Sequence, residues 1–285
     1  MKALQKTAIS AAAVALLTGL SSISAFAEEA AAEAPEASPI TANVTVVNDY
    51  RYRGLSQSNF KPAIQGGFDY AHESGFYIGN WNSSISWISD SYGQNGGVSG
   101  KGASLGTVSA PIEMDFYAGY KHDWSEGFIA DLGVLQYFYP TSGLPGGFTN
   151  PNTTELYVAQ NFTVDKLTGF VKFSVAVTNL FGFNSSSGSN YTDLTLNYDT
   201  GVWGLALNGH VGYQYVAGTA FSGGPSNSSL YSYTDWKLGV TKDFGSGFSG
   251  SLAYVATNAN NYAYVNPNGT NLGRAGVLVS VTKTF

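Results

Sequence analysis

Hydrophobic and polar residues alternate over most of the chain from Ala42 to its last residue, Phe285. The alternation is clearest over Ala275 to Phe285 (AGVLVSVTKTF), where three valines alternate with small or polar residues. A period of two is typical of a β-strand with unlike faces, and in a transmembrane barrel one face meets lipid and the other the lumen. The segment therefore predicts a barrel strand, and we expect barrel-assembly machinery to contact this strand where it ends at Phe285.

Twelve alternating segments follow one another, each about as long as the roughly 9 to 11 residues that a tilted membrane strand needs. They are 43–54, 62–72, 76–87, 112–122, 128–139, 153–162, 170–181, 191–199, 203–215, 232–242, 248–257 and 274–285. This pattern predicts an all-β fold, a transmembrane antiparallel up-and-down barrel of 12 strands. An even number of strands places both termini in the periplasm.

The connections between the predicted strands fall into two classes. The long ones are rich in Ser, Asn and Gly and are expected to be extracellular: 55–61, 88–111, 140–152, 182–190, 216–231 and 258–273. The short ones are 73–75, 123–127, 163–169, 200–202 and 243–247. Four of them are predicted to end in a Gly-Phe pair, Gly75-Phe76, Gly127-Phe128, Gly169-Phe170 and Gly247-Phe248, and the fifth contains Gly201-Val202-Trp203. Glycine supplies the positive φ of a tight turn, and the aromatic residue fits the headgroup level of a membrane.

A second set of aromatic residues lies near the long-connection ends of the predicted strands. Its members are Tyr50, Tyr52, Trp87, Tyr137, Tyr139, Phe181, Phe183, Tyr213 and Tyr215. Aromatic side chains collect at both interfaces of a membrane. These residues are therefore predicted to form a second girdle, and in the first strand Tyr50 and Tyr52 are predicted to face lipid.

In most of these strands, charged side chains occupy every second position and face one way, while large apolar side chains occupy the positions between them and face the other way. Asp69, between Phe68 and Tyr70, is an example. A Lys or Arg facing lipid at mid-membrane costs about 2–4 kcal/mol, so charges are expected to face inward. The third and fifth strands show no clean parity, although Asp131 is expected to face inward. The charges predicted to line the lumen are Asp49, Arg51, Arg53, Asp69, Glu113, Asp115, Lys121, Asp131, Glu155, Lys172, Asp193, Asp235, Lys237 and Arg274.

These eight acids and six bases are compatible with two arrangements. One is an internal network of salt bridges that holds the wall and narrows the lumen. The other is a segregated constriction, in which bases such as Arg51 and Arg53 face acids and orient a polar solute. Lys283, near Phe285, is an exception, because its position in the alternation puts it on the apolar face of the last strand. We expect its long side chain to reach the periplasmic headgroups.

The beginning of the chain has the pattern of a secretory signal. Residues 1–27 combine Lys2 and Lys6 with an apolar stretch and the sequence Ala25-Phe26-Ala27, so cleavage is expected near Ala27. Residues 28–41 are acidic and rich in Ala and Pro, and are expected to be a disordered periplasmic leader. The barrel is then assigned to 42–285, with the outer membrane of a bacterium as its location.

Composition excludes several classes of function. The net charge is −6, and loss of Lys2 and Lys6 makes the mature chain two units more acidic, which excludes nucleic acid as a partner. The absence of Cys excludes disulfides and thiol chemistry. With three histidines and no catalytic cluster, we expect no enzyme, no cofactor and no metal site. His210 is expected to be an inward-facing, hydrogen-bonded wall residue rather than a general base.

Residues 43–86 resemble the TorF-type family of bacterial porins. The most specific parts are DYRYRGLSQ at 49–57 and PAIQGGFDY at 62–70, and the resemblance continues at YTDWKLGV (233–240) and VSVTKTF (279–285). It covers essentially the whole chain after the leader. The resemblance implies an outer-membrane barrel of the porin type, and it supplies no substrate or catalytic residue.

Three functions are compatible with the sequence. The first is a channel that sits in outer-membrane lipid and passes small hydrophilic solutes by diffusion through a charge-lined lumen. The second is a structural or adhesive barrel with an occluded lumen and surface-exposed binding loops. The third is a membrane-embedded hydrolase that depends on His210. The solute, the ion preference, the pore width and the oligomeric state are open at this point.

Overall fold

The computed structural model describes residues 38–92, 108–144 and 146–285. Within them, twelve antiparallel strands close into one barrel, and the predicted fold class is confirmed. In chain order the strands are β1 (Ile40–Val47), the short hairpin strands β2 (Arg51–Tyr52) and β3 (Leu55–Ser56), β4 (Ala63–Ala71), β5 (Phe76–Ser84), β6 (Ile112–Ser125), β7 (Phe128–Phe138), β8 (Thr153–Val164), β9 (Leu167–Ala176), β10 (Asn190–Asp199), β11 (Leu205–Tyr215), β12 (Tyr233–Gly245), β13 (Phe248–Thr257) and β14 (Gly276–Thr284). Strands β2 and β3 pair only with each other.

The barrel closes between its first and last wall strands. β1 pairs with β4 on one side and with β14 on the other, where Val46 lies opposite Val281. β1 begins at Ile40, opposite Tyr70 of β4, so residues 40 and 41 of the predicted leader are part of the sheet. The predicted signal 1–27 and the leader as far as residue 37 lie outside the described residues. Because the ends of the sheet pair, the barrel has no open strand edge along its wall.

Short and long connections lie at opposite rims, as the sequence predicts. The short connections are 72–75, 126–127, 165–166, 200–204 and 246–247, and the long ones are 48–62, 85–111, 139–152, 177–189, 216–232 and 258–275. The long connections carry the helices α1 (Trp87–Tyr92) and α2 (Asn227–Tyr231). In the described part of the chain, no helix has the length and apolar character needed to cross a membrane.

The outer surface of the wall is a belt of exposed apolar side chains. Leu238 is 68% exposed, and Leu252 and Val279 are about half exposed, although each lies within a strand. Their neighbours in sequence face the lumen and are buried or half-buried. β5 and β7 show why the predicted third and fifth strands had no clean parity. They turn aromatic or apolar residues such as Trp81 and Leu135 inward, so polarity no longer separates the two faces.

The short-connection rim carries exposed aromatic residues, with one exception to the prediction. Gly75, Gly127 and Gly247 have positive φ, and Phe76 and Phe248 after two of them are exposed. Gly169, however, lies inside β9, and Phe170 faces the lumen and is buried. The turn there is made earlier, at Asp165, which has a φ of 51°. Lys283 donates a hydrogen bond to the Ser246 carbonyl, and its ammonium lies 4.7 Å from the Phe248 ring centre.

The predicted first strand, 43–54, is wrong beyond Val47. The Asn48 side chain takes over the pairing with β14, since its Nδ2 donates to the Val277 carbonyl (2.9 Å) and its Oδ1 accepts from the Val279 N–H (2.8 Å). The Asn48 N–H still donates to the Val279 carbonyl (3.1 Å), and its side chain supplies the partners that the following residues would otherwise give to β14. The chain therefore turns into the barrel at this point.

The predicted second girdle is also wrong for most of its members. Tyr50, Tyr137 and Tyr139 are each 3% exposed and belong to an apolar cluster inside the long-connection end of the barrel. Tyr52, Trp87 and Phe181 pack against that cluster, and Phe183 packs on Tyr231. Tyr213 and Tyr215 do face outward. Each buried tyrosine directs its hydroxyl to a polar partner inside, a use of the ring that a sequence pattern does not separate from a place in a girdle.

Inward-facing tyrosines lie flat over glycines of the neighbouring strand. Tyr117 of β6 pairs with Gly79 of β5, and Tyr77 pairs with Gly119 two residues further along the same two strands. A Cβ built on either glycine would overlap the tyrosine lying over it. Gly133 under Tyr157 and Gly212 under Tyr191 repeat the arrangement on other strand pairs. The glycines therefore make room for large rings in a narrow lumen.

The substitution Gly79→Ala should destabilise the barrel, because the new methyl group must displace the Tyr117 ring from its bond to Asp69. Overpacking of this kind costs about 1–3 kcal/mol. Gly209→Ala is the matched control, since a Cβ at this position has no atom within 4 Å. It should leave stability unchanged or raise it by up to about 1 kcal/mol through the unfolded state. Urea unfolding in lipid vesicles measures both; equal stabilities of the two variants would contradict the prediction.

Candidate functional site

The segment 48–62 folds into the lumen as a hairpin, which we call the lumen hairpin. Arg53 and Gly54 form its tip with φ values of 46° and 77°, the positive values that a two-residue type I′ turn requires. A Cβ at Gly54 would overlap Thr257 and lie 2.7 Å from the Cβ of Asp235. The tip of the hairpin thus contacts β12 and β13, although the hairpin follows β1.

Asp49 organises the base of the lumen hairpin. Its carboxylate accepts from Arg51 Nε (2.5 Å), from the Ser56 hydroxyl (2.6 Å) and from the Ser58 hydroxyl (3.3 Å). Ser56 also accepts from the Phe60 N–H (2.9 Å). A buried carboxylate is tolerated only when donors surround it, and here three do so. The hairpin therefore carries its own polar core.

Arg53 fastens the tip of the lumen hairpin to the wall. Its Nη2 donates to both carboxylate oxygens of Glu155 on β8, at 3.0 and 2.8 Å, and its Nη1 donates to Gln214 on β11 (2.6 Å). The guanidinium lies 4.2 Å from the centre of the Tyr191 ring on β10, and Tyr233 of β12 donates to the Arg53 carbonyl (2.9 Å). One residue of the hairpin therefore bonds to or stacks on four strands.

Arg51 ties the hairpin to the connection before β14. Its Nη1 donates to the Gly54 carbonyl (2.8 Å) and to the Arg274 carbonyl (2.9 Å). The Phe60 ring lies near both guanidinium groups, 4.7 Å from that of Arg51 and 3.9 Å from that of Arg274. Arg274 itself lies outside the strands and is exposed at the long-connection rim.

A network of tyrosines and acids fills the wall from β4 to β9. Tyr117 donates to Asp69 (2.5 Å), and Tyr77 donates to Asp131 (2.7 Å). The Lys121 ammonium lies 5.2 Å from the centre of the Tyr77 ring. Nearer the long-connection end, Tyr50 of the lumen hairpin donates to Glu113 of β6 (2.7 Å). Each of these acids is thus anchored by a phenol rather than left to lumen water.

His210 lies between two carboxylates. Its Nε2 is 2.9 Å from Asp235, and its Nδ1 is 3.1 Å from Asp193. The Thr195 hydroxyl is 3.0 Å from Nδ1, and the Tyr191 hydroxyl is 3.1 Å from Nε2. Partners at both ring nitrogens hold the imidazole in place, so this histidine suits a structural role better than that of a general base.

A cavity of about 80 Å³ lies inside the barrel beside the lumen hairpin. The hairpin and the facing wall both line this cavity. The hairpin contributes Asp49, Arg51 and Arg53, and the wall contributes Lys172, Asp193, His210, Asp235 and Lys237. Gln65 and Ser174 add neutral polar groups. The cavity is therefore lined by both signs of charge.

The structure brings most of the predicted lumen charges inside. The buried ones are Asp49, Arg51, Asp69, Glu113, Asp115, Asp131, Glu155, Lys172 and Asp235, and the half-buried ones are Arg53, Lys121, Asp193 and Lys237. Arg274 is the exception. Arg51 and Arg53 reach the lumen from the inserted hairpin and not from a wall strand. Acids and bases are interspersed, as in the first of the two predicted arrangements, because Arg51 pairs with Asp49 and Arg53 with Glu155.

Sequence reasoning missed the tyrosines of the lumen. Tyr77, Tyr117 and Tyr191 face inward and bond acids of the wall, and Tyr157 faces inward and bonds the Tyr77 hydroxyl. A usable signal was present in the glycines. Gly79 and Gly119 hold inward positions of β5 and β6, spaced so that each can lie under a tyrosine of the other strand.

Comparisons with known proteins agree with this architecture. A family model described as "Bacterial protein of unknown function (Gcw_chp)" matches residues 30–285. A search of curated proteins found no match. Among solved structures, the NanC porin is similar with a TM-score of 0.51 and 9% identity, over 86% of this chain and 98% of that one.

Two further solved barrels align over most of their length. The KdgM porin, in complex with disordered oligogalacturonate, aligns with a TM-score of 0.47 and 8% identity over 86% of this chain and 97% of that one. An outer membrane channel from Pseudomonas putida F1 aligns with a TM-score of 0.48 and 12% identity over 87% and 96%. At such identities the likeness to NanC describes the fold alone, and no solute or residue role follows from it.

Removal of either partner of the Arg53–Glu155 pair should destabilise the barrel by about 3–5 kcal/mol, because the other charge stays buried without its partner. The double variant Arg53→Gln/Glu155→Gln should lose less than the sum of the two single variants. Arg274→Gln is the control, an exposed arginine that stacks on Phe60, and it should cost at most about 1 kcal/mol. Urea unfolding of these four variants and the unmodified protein tests the prediction, and strictly additive losses would contradict it.

Proposed function

The chain belongs to the Gcw_chp family, and from this premise we propose that it is an outer-membrane channel for the passive diffusion of small hydrophilic solutes. The observation that carries the proposal is the separation of the two wall faces. Exposed apolar side chains cover the outside, while thirteen of the fourteen predicted charges lie inside. An apolar outside and a polar inside are what a barrel needs in order to hold water across a membrane.

The lumen hairpin limits the size of what can pass. It occupies the long-connection end of the barrel and contacts the far wall through Arg53, with a cavity of about 80 Å³ beside it. The contacts at the tip are hydrogen bonds to Glu155 and Gln214, groups that water can also bond. The hairpin therefore acts as a constriction, and the channel favours small solutes.

The same proposal includes the finer assignments from the sequence. The chain is a TorF-type porin that is exported with a signal cleaved near Ala27 and assembled through the strand that ends at Phe285. The short connections then face the periplasm and the long ones the outside. The exposed aromatic residues Phe76, Trp203 and Phe248 at the short rim support this placement, since such rings collect at membrane interfaces.

A second function has an observation in its favour. Glu113, Asp131 and Glu155 are each 1% exposed, and this burial supports a packed lumen over a wide water-filled one. A barrel filled in this way fits the occluded alternative, in which the long connections bind a partner outside the cell. The two functions differ in one measurable property, the conductance of the unmodified protein.

The outward belt gives a test of membrane insertion. Leu252→Arg places a charge at the middle of β13 and should cost about 2–4 kcal/mol of stability in a bilayer. Tyr262→Arg is the control, because Tyr262 is 93% exposed in the connection after β13. Folding into lipid vesicles in the presence of urea measures both variants. Equal folding of the two would place the belt outside the hydrocarbon and contradict the proposal.

Single-channel recording in planar bilayers tests the channel itself. The refolded protein should conduct in potassium chloride, and Arg53→Ser should conduct more, because the shorter side chain releases the tip of the hairpin from Glu155. Arg274→Ser is the control and should conduct like the unmodified protein, since Arg274 lies at the exposed rim. A protein that conducts only after Arg53 is replaced would favour the occluded barrel instead.

A further inference from the structure

Two lysines of the lumen wall have no ionic partner in the described part of the chain. Lys172 on β9 and Lys237 on β12 both line the cavity beside the lumen hairpin. Neither ammonium forms an ion pair or a hydrogen bond with another described residue. Lys172 lies 4.1 Å from the centre of the Tyr157 ring, a contact that leaves its three N–H donors unused. The cavity therefore contains two cations with free donors.

The acids around the cavity are already bonded to other groups. Asp49 accepts from Arg51 and Ser56 in the hairpin. Asp235 faces His210 at 2.9 Å and accepts from the Tyr191 hydroxyl at 2.8 Å. The remaining acid, Asp193, faces the other nitrogen of His210, as described above. The carboxylates of the lining thus have protein donors, whereas the two ammonium groups lack protein acceptors.

The pairing register of the strands shows where the ammonium groups of Lys172 and Lys237 are placed. Lys172 lies opposite Asp193 across the β9–β10 pair, and Lys237 lies opposite His210 across the β11–β12 pair. Asp193 and Asp235 are bonded to His210, and neither lies within ion-pair distance of a lysine. Asp193 attracts both ammonium groups from beyond that distance, so the donors of Lys172 and Lys237 are left for a mobile anion.

We propose that this cavity is a binding site for a small monocarboxylate, held between Lys172 and Lys237 on its way through the channel. The proposal rests on the proposed function and names the class of solute. Two ammonium groups suit the two oxygens of a carboxylate, with a charge-assisted hydrogen bond to each. The cavity of about 80 Å³ has room for a solute of the size of acetate.

Potassium acetate is the probe, and two readouts separate this site from the channel. The first is calorimetric titration of the detergent-solubilised protein with acetate, which needs no conduction. The second is the reversal potential in a potassium acetate gradient across a planar bilayer. We expect acetate to bind, the current to favour the anion, and Lys172→Gln/Lys237→Gln to weaken acetate binding about tenfold or more, because the variant removes both charged donors.

Two further variants control for folding and for charge in general. Lys172→Arg/Lys237→Arg keeps both charges and should retain acetate binding and anion preference. Lys242→Gln removes a charge from the same strand as Lys237 but at the short rim, where the side chain bonds the Trp203 carbonyl, and should change neither readout. Each variant must first show barrel folding by its resistance to urea.

The outcomes distinguish the two proposals. A protein that conducts, but prefers cations or is indifferent to the loss of both lysines, overturns the carboxylate site and leaves the channel. A protein that does not conduct, yet binds acetate in a lysine-dependent way, overturns the channel and leaves the site. Absence of both conduction and binding overturns both. Loss of binding with Lys242→Gln to the same extent would also overturn the site.

Discussion

The apolar outer surface of the closed sheet is the constraint on which the rest of the structure depends. Because alternate residues of a strand point to opposite faces, an outward belt of residues such as Leu238 and Val279 obliges their neighbours to point into the lumen. The lumen therefore receives most of the charges of the strands. In a barrel of twelve strands the interior is narrow, so these charges lie close to one another and most of them are paired within the protein.

Two kinds of side chain bond the acids that are crowded in the lumen. Tyrosines such as Tyr77 and Tyr117 bring a hydroxyl to a carboxylate while their rings fill space over glycine, so that acids are bonded without a second charge. The lumen hairpin brings the other partner, a guanidinium. Arg53 reaches Glu155 from the opposite side of the barrel, a connection that no neighbouring strand provides. The hairpin thus links distant strands of the barrel and narrows the lumen between them.

Much of this fold follows from the sequence because it depends on a period of two and on connection length. The parity of Asp69 between Phe68 and Tyr70, or of Lys237 between Trp236 and Leu238, depends only on neighbours in the chain, and the structure agrees with it. The lumen hairpin is different. Arg51 and Arg53 keep the alternation of a strand after the chain has left the wall, and the Asn48 side chain that allows this bonds residues more than 200 positions away.

The same argument explains which parts of the candidate site were beyond sequence reasoning. A pattern can show that Lys172, Asp193 and Lys237 face inward, but not which of them has a partner. That depends on His210, which lies between Asp193 and Asp235 and so withdraws two acids from two lysines. The spare positive charge of the cavity is therefore a property of the whole network. It arises because an imidazole and a phenol occupy carboxylates that a simple count of acids and bases would assign to the lysines.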